Sequence, residues 1–230
     1  MSCCVLVLLG ALLGACEQQD NRVSRIAQMD GQSGPASPAR IAELEELLEE
    51  YAELAAEQVQ TLSRSADTLK LLSQAYLQQR MFGPALDSLE RALVIEPENQ
   101  TLHQLAGASA GFVAKAQSRA AERQRYFDMA EFHYQRAIEI EPDFIDARYG
   151  LAVLYAFELN EPANALPHLE AILARNELHV PSLFVLARAN VQLGNIDAAI
   201  DAYDTIIERA AEDEDRERAR RNRQLLVGSS

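Results

Sequence analysis

Tryptophan is absent from this sequence, and its three cysteines all lie within the first sixteen residues. The rest of the chain therefore has no thiol for a disulfide, a metal site or a nucleophile. Basic residues are also scarce, since 21 Lys and Arg stand against 35 Asp and Glu, for a formal net charge of −14. Nucleic-acid binding requires an excess of positive charge to neutralise phosphates, so this balance argues against a general nucleic-acid binder.

Sequence motifs for catalysis are missing as well. No Gly-rich phosphate loop, Gly-x-Ser-x-Gly or His-Glu-x-x-His motif occurs. The four histidines are not paired at ligand spacing, so we expect each to be an ordinary surface or packing residue: His103, His133, His168 and His179. The sequence thus predicts no catalytic residue, no metal site and no cofactor, and we expect that the protein is not an enzyme.

The chain is rich in residues that favour helices. Ala, Leu, Glu and Arg dominate, and only 6% of the residues are aromatic. No window shows the alternation of apolar and polar residues that is typical of strands. This composition predicts an all-α fold.

A repeat of 34 residues organises the central part of the chain. The clearest copy spans 66–99, and Pro97 ends its second helix. Its two halves each carry apolar and small residues at helical spacing: Leu69, Leu72 and Tyr76, then Ala85, Leu89 and Ala92. Small residues where two antiparallel helices cross allow their backbones to approach closely. The copy therefore predicts a helical hairpin.

Three further copies span 100–144, 145–179 and 180–209. The segment RAIEIEP nearly repeats RALVIEP, but Pro97 and Pro142 are 45 residues apart, so the second copy contains 11 extra residues. The third copy fits the repeat only with one inserted residue near Glu161 and Pro162. In the fourth copy, Leu193–Asn195 supplies the break between the helices. Four copies exceed the roughly three that such stacking needs.

The region 66–209 resembles a tetratricopeptide repeat protein in these small and aromatic positions. The resemblance implies a right-handed superhelix of helical hairpins, whose first helices line a concave groove that binds a protein partner. By residue-for-residue match, the groove-facing positions include Asp146 and these predicted binding residues: Lys70, Gln74, Gln78, Gln104, Phe112, Tyr149, Val153, Phe157, Phe184, Arg188 and Gln192.

This predicted lining carries amides at its first end, aromatic residues in the middle and an Arg at the far end. Such a groove suits an extended peptide or an amphipathic helix. An alternative for each aromatic residue is that it fills a gap between repeats. The clamp with which some members of the family bind chaperone C-termini is not matched, because its other positions hold Leu105, Asp146 and Gly150.

The 11 extra residues lie within Lys115–Asp128, which contains no Gly or Pro. We expect them to lengthen both helices of that hairpin by about one and a half turns each. Lys115, Arg119 and Arg123 are spaced i, i+4 and i+8 and would form one basic stripe, with Arg125 nearby. The stripe is either a docking tip for an acidic partner or lipid head groups, or an ordinary solvated face.

Helices are also expected on both sides of the repeats. The segment 39–65 reads as an N-terminal capping helix or a degenerate repeat, with a buried stripe at Ile41, Leu44, Leu47 or Leu48, Tyr51 and Leu54. The segment 210–230 reads as a C-terminal capping helix and tail. Acidic residues at its start and arginines after them complement a helix dipole.

The first fifteen residues read as a signal peptide, because their apolar run is too short to span a membrane. Leu13-Gly14-Ala15-Cys16 resembles the lipobox of bacterial lipoproteins, which implies that Cys16 is acylated, as by palmitate. Glu17 rather than Asp after Cys16 suggests an outer-membrane protein that faces the periplasm. Residues 16–38 would then be a lipidated cysteine and a flexible tether. A plain secretory signal and a buried apolar N-terminus remain alternatives.

Together these features predict a membrane-anchored scaffold for protein–protein interaction in bacterial envelope assembly. Lipoproteins of this repeat type serve pilus, secretion and outer-membrane biogenesis systems, and nothing in the sequence selects among them. The rival hypothesis is a periplasmic solute-binding component associated with a transporter.

Overall fold

The computed structural model describes residues 38–228. The predicted signal peptide, the lipidated Cys16 and the tether up to residue 37 lie outside these residues. Within the described range there are nine α-helices and no strand, as predicted. None of the described helices is both long and apolar enough to cross a membrane.

The helices follow one another with short connections. Their bounds are α1 Pro38–Gln78, α2 Phe82–Ile95, α3 Gln100–Ala116, α4 Ala120–Ile140, α5 Ile145–Val153, α6 Pro162–Arg175, α7 Val180–Leu193, α8 Ile196–Arg209 and α9 Asp213–Val227. A π-helical turn, Leu154–Glu158, continues α5. Each of the four predicted repeats thus contains two helices, the first pair being the end of α1 and α2.

Small residues are buried along the packed helices of the first two hairpins. Ala85 and Ala92 on α2, and Ala106 and Ala110 on α3, have no exposed surface. Larger apolar side chains such as Leu89 fill the spaces between them and are equally buried. Close helix contact around alanine explains how a chain with few aromatic residues builds a core.

The insertion lengthens the second hairpin unequally. Helix α3 has 17 residues and α4 has 21, whereas α2, α7 and α8 have 14 each. The expectation of equal extensions is therefore wrong. Helix α3 ends at Ala116, where Gln117 adopts an extended conformation, and most of the extra residues enter the first turns of α4.

The residue inserted in the third repeat lies in the turn before α6, near Glu161 and Pro162 as predicted. Helix α5 (9 residues) and the π-helical turn (5 residues) together span 14 residues, the same length as α7. The connection to α6 is then Leu159–Glu161, one residue longer than the Gly194 and Asn195 connection between α7 and α8. Asn160 adopts a positive φ of 56° in this turn.

Helix α1 runs without a break past Ser65, so the predicted helix 39–65 is not a separate element. Its sequence contains no Gly or Pro that would end it. Along the predicted apolar stripe, Ile41 is 46% exposed, Leu44 is 39% exposed and Tyr51 is half-buried. The last turns of α1 are different, since Ala66 and Ser73 have no exposed surface.

A candidate binding groove

Two adjoining cavities form a groove along the first helices of the later repeats. The larger has a volume of about 830 Å³ and is lined by α5, α7, α9, the π-helical turn and single residues of α3 and α8. The smaller, about 290 Å³, lies between α3 and α5. Lys115, Tyr149, Val153 and Glu158 line both cavities, so the two are continuous.

Seven of the eleven predicted binding residues line this groove. Five belong to the larger cavity: Tyr149, Val153, Phe157, Phe184 and Arg188. The smaller cavity adds Gln104 and Phe112, together with Asp146. The repeat frame therefore brings residues from three hairpins to one continuous surface.

The other four predicted residues do not line either cavity. Lys70 donates a hydrogen bond from Nζ to Glu96 Oε1 over 2.6 Å, and this bond raises the pKa of Lys70. Gln74, Gln78 and Gln192 are exposed on the surface. Lys70, the charged residue at the first end of the predicted groove, is thus already paired within the protein.

Aromatic side chains along the groove are held in place but remain accessible. Phe112 stacks on Phe82 with ring centroids 4.1 Å apart, yet 46% of it is exposed. Phe157 is 51% exposed, and the Arg188 guanidinium lies 5.8 Å from its ring centroid. These rings offer apolar contact area at little further loss of side-chain entropy, which is typical of binding anchors.

The π-helical turn places two residues in the groove. Phe157 and Glu158 occupy its last positions, where the altered backbone twist changes the direction of the side chains. Glu158 pairs with Lys115 of α3 over 2.5 Å. This ion pair connects the long second hairpin to the third across the junction of the two cavities.

The predicted basic stripe on the insertion is wrong. The α-helix stops at Ala116, so Lys115 belongs to α3 while Arg123 belongs to α4. Arg119 is the N-cap of α4 and pairs with Glu122 over 3.1 Å. The spacing i, i+4, i+8 therefore does not produce one face, and Lys115 lines the groove instead.

Helix α9 supplies a wall of the larger cavity that sequence reasoning did not predict. The Arg218 guanidinium lies 3.7 Å from the ring centroid of Phe184. Asn222 hydrogen-bonds Tyr203, and Arg223 donates to Asp204 over 2.6 Å. These contacts hold α9 against the fourth hairpin, and they were hidden by the strongly charged sequence of this helix. Within this charged sequence, the apolar pair Leu225 and Leu226, which lines the cavity, is the one feature that indicates packing of the helix.

Arginine side chains that line the larger cavity affect the pKa values of two tyrosines in the groove. Burial raises the pKa of Tyr149, and the nearby Arg218 guanidinium counteracts part of that increase. Burial likewise raises the pKa of Tyr203, with Asn222 and Arg188 acting in the opposite direction. Both phenols are therefore neutral hydrogen-bonding groups at physiological pH.

Two glycines let the ring of Tyr134 form part of the groove's floor. A Cβ at Gly150 would lie 2.5 Å from Tyr134 Cε1, and one at Gly107 would lie 3.0 Å from Tyr134 Cδ1. The ring is 7% exposed and packs between α3 and α5. Close approach of the ring thus requires glycine at these positions.

The structure pairs two histidines that the sequence had left unrelated. His103 Nδ1 and His133 Nδ1 are 3.0 Å apart, and His103 Nε2 lies 3.1 Å from the carbonyl oxygen of Pro97. The carbonyl can only accept, so Nε2 carries the proton of a neutral His103 and its Nδ1 accepts from His133. Burial lowers the pKa of both residues, to about 4 for His133. Among the residues described, no group of three His, Cys, Asp or Glu side chains could hold a metal.

Comparison with known proteins supports the repeat fold. A tetratricopeptide repeat model matches residues 153–214. A second model, for the plant-specific mitochondrial import receptor subunit TOM20, matches residues 45–171, more than half of the chain. No curated protein matches the sequence.

Solved repeat structures share the fold at low identity. TTC0263, a thermophilic TPR protein of Thermus thermophilus, is 18% identical, with a TM-score of 0.59 over 82% of this chain and 96% of that protein. YrrB, a TPR protein with an unusual peptide-binding site, is 18% identical, with a TM-score of 0.56 over 76% and 88% of the two chains. Human IFIT1, solved as a dimer with PPP-AAAA, is 21% identical, with a TM-score of 0.63 over 80% of this chain and 44% of its own.

The chain therefore belongs to the tetratricopeptide repeat family. This membership, together with the all-α hairpins, identifies a fold that serves protein–protein interaction.

Proposed function

We propose that this protein is a scaffold that binds a segment of a protein partner in the groove between α3, α5, α7 and α9. The observation that carries the proposal is the continuous surface with accessible aromatic rings. Phe112 and Phe157 expose about half of their surface, and Tyr149 and Phe184 are partly buried beside them. Aromatic residues of this kind provide most of the binding energy in protein interfaces.

Pull-down from the native host tests the groove. Changing Tyr149 and Phe184 together to Ala should remove the recovered partner. Phe132→Ala is a matched control, because Phe132 is 59% exposed but lines neither cavity. Unchanged recovery by the Tyr149 and Phe184 variant, or equal loss with Phe132→Ala, would exclude the groove as the binding surface.

We further propose that the scaffold is anchored to the outer membrane through acylated Cys16, faces the periplasm and acts in envelope assembly. The support is the sequence Leu13-Gly14-Ala15-Cys16 and the polar segment that follows it. Labelling with an alkynyl fatty acid should mark the wild type and not Cys16→Ser. If the Cys16→Ser variant still fractionates with membranes, lipidation is not what holds the protein there. Its release into the soluble fraction supports the anchor.

The second candidate function is the binding of a small solute, in association with a transporter. The larger cavity favours it, because its volume of about 830 Å³ falls in the range of small-molecule sites. Native mass spectrometry distinguishes the two functions. A co-purified ligand with no protein partner would support the solute-binding candidate over the scaffold.

A further inference from the structure

We propose that the partner segment carries an acidic side chain, Asp or Glu, beside its apolar anchors, and that Arg188 and Arg218 receive it. This inference rests on the proposed function of the groove and specifies the chemistry of its occupant. The two arginines belong to different helices, α7 and α9, and line the same cavity.

The charge of the cavity is opposite to that of the protein. The chain has a formal net charge of −14, yet three of the four charged side chains that line the larger cavity are positive. Lys115 is neutralised by Glu158 at 2.5 Å. Arg218 is paired with Asp215 over 2.9 Å, so among the described residues the unpaired positive charge in the cavity is that of Arg188. This charge, inside an acidic protein, attracts an acidic segment and repels a basic one.

Each guanidinium can still bind a carboxylate. Arg188 forms no ion pair with a carboxylate among residues 38–228, and its contact is the ring of Phe157. Arg218 bonds Asp215 through one nitrogen over 2.9 Å and stacks on Phe184. Stacking occupies the faces of a guanidinium and leaves N–H groups at its edge, where bidentate carboxylate binding takes place.

Because part of the lining is apolar, the ligand must offer apolar groups as well as a negative charge. Val153, Phe157 and Phe184 lie beside the arginines, so the acidic group must be next to aliphatic or aromatic side chains. The length of the groove favours a peptide. Four helices packed at about 8–10 Å from axis to axis give roughly 25 Å, which about eight extended residues span.

Asp146 gives the groove a direction. Its carboxylate lines the smaller cavity, at the end away from α9. An acidic residue of the peptide is therefore favoured near Arg188 and Arg218 and disfavoured near Asp146. Charges placed in this way select the orientation of a bound segment more than they increase its affinity.

Three fluorescent peptides of equal length test the proposal on the full chain. They share Leu and Phe anchors and differ only in carrying Glu, Gln or Lys between them. The wild type should bind the Glu peptide at least about tenfold more tightly than the Gln peptide at low salt, and the Lys peptide least tightly. The preference should shrink as salt is raised from about 50 mM to about 300 mM, because these side chains are partly exposed.

Matched variants distinguish the effect of the two arginines from the effect of the protein's overall charge. Changing Arg188 and Arg218 together to Gln should bring the Glu and Gln peptides within about twofold of each other. Changing Arg91 and Arg175 to Gln removes the same charge outside both cavities and should keep the preference. Loss of the preference in this control would overturn the assignment.

The remaining outcomes distinguish this inference from the function on which it rests. Equal affinity of the wild type for the Glu and Gln peptides overturns the acidic preference and leaves the groove function standing. If binding survives when Tyr149 and Phe184 are changed to Ala, the groove function itself fails. No detectable binding of the Glu peptide, or its full displacement by decanoate at equal concentration, overturns the assignment of a peptide.

Discussion

The first and third hairpins use the same repeat frame but present different surfaces. In the first, Lys70 occupies a groove position and is paired with Glu96. In the third, a π-helical turn exposes half of Phe157 and the neighbouring Arg188 has no ion pair among the described residues. A repeat position therefore determines which face a side chain occupies, while its neighbours determine whether it can bind a partner.

The largest expected effect is on folding stability, and it comes from the buried histidine pair of the second hairpin rather than from the groove. The folded protein holds His133 neutral with a pKa of about 4, whereas the unfolded chain takes up a proton near pH 6.5. Stability is thus complete above about pH 6.5 and should fall by about 3 kcal/mol as the pH is lowered to about 4.

Urea denaturation at several pH values measures this dependence. Between about pH 7 and pH 5, where most carboxylates stay charged, His133→Gln should flatten the slope. An equally steep slope in that variant would show that other groups cause the acid sensitivity.

The close packing beneath the groove predicts the next effect. Gly150→Ala places a methyl group against the ring of Tyr134, where the Cβ would lie 2.5 Å from Cε1, and should cost about 2 kcal/mol of unfolding free energy. Gly111→Ala is the control, because nothing lies within 4 Å of a Cβ there. In this helical position it should stabilise the protein by up to about 1 kcal/mol. Equal effects of the two changes would contradict the packing argument.

Substitutions at the two ends of the predicted lining should affect binding differently. Phe157→Ala should weaken the Glu peptide by at least about tenfold, because an exposed aromatic anchor is removed. Gln74→Ala, on the first hairpin, should change it by less than about twofold. Fluorescence polarisation measures both. A larger effect of Gln74→Ala would reverse the comparison between the hairpins.

The smallest effect compares the turns of the first and last hairpins. Arg80 adopts a φ of 58° where the fourth hairpin has Gly194 at 79°. Arg80→Gly should relieve the left-handed conformation and stabilise the protein by about 0.5 kcal/mol. Gly194→Ala should destabilise it by about 1 kcal/mol. Thermal unfolding measures both, and a destabilised Arg80→Gly variant would show that the arginine side chain makes a contribution that outweighs the strain.

The helical hairpins and much of the groove could be predicted from the sequence. Alanine spacing and the prolines after α2 and α4 are local signals, and they locate the helices. The repeat frame likewise indicates that Tyr149, Phe157 and Phe184 share a face, because side-chain direction follows from helix geometry.

Other features depend on contacts that a sequence pattern does not contain. The break after Ala116 occurs in a segment without Gly or Pro, so the basic stripe was predicted across it. The pairing of His103 with His133 joins residues 30 positions apart. Arg218 lies in a strongly charged helix whose sequence predicts a cap on the repeats but not its contact with Phe184.

Site-specific photo-crosslinking in the native host tests the central claim most directly. Benzoylphenylalanine is placed in turn at Phe157 in the groove, at Gln74 on the first hairpin and at Phe132, which is exposed outside both cavities. Binding in the groove between α3, α5, α7 and α9 predicts a crosslinked partner from position 157 and little or none from the other two. An equally strong crosslink from position 74 or 132, with none from 157, would contradict it.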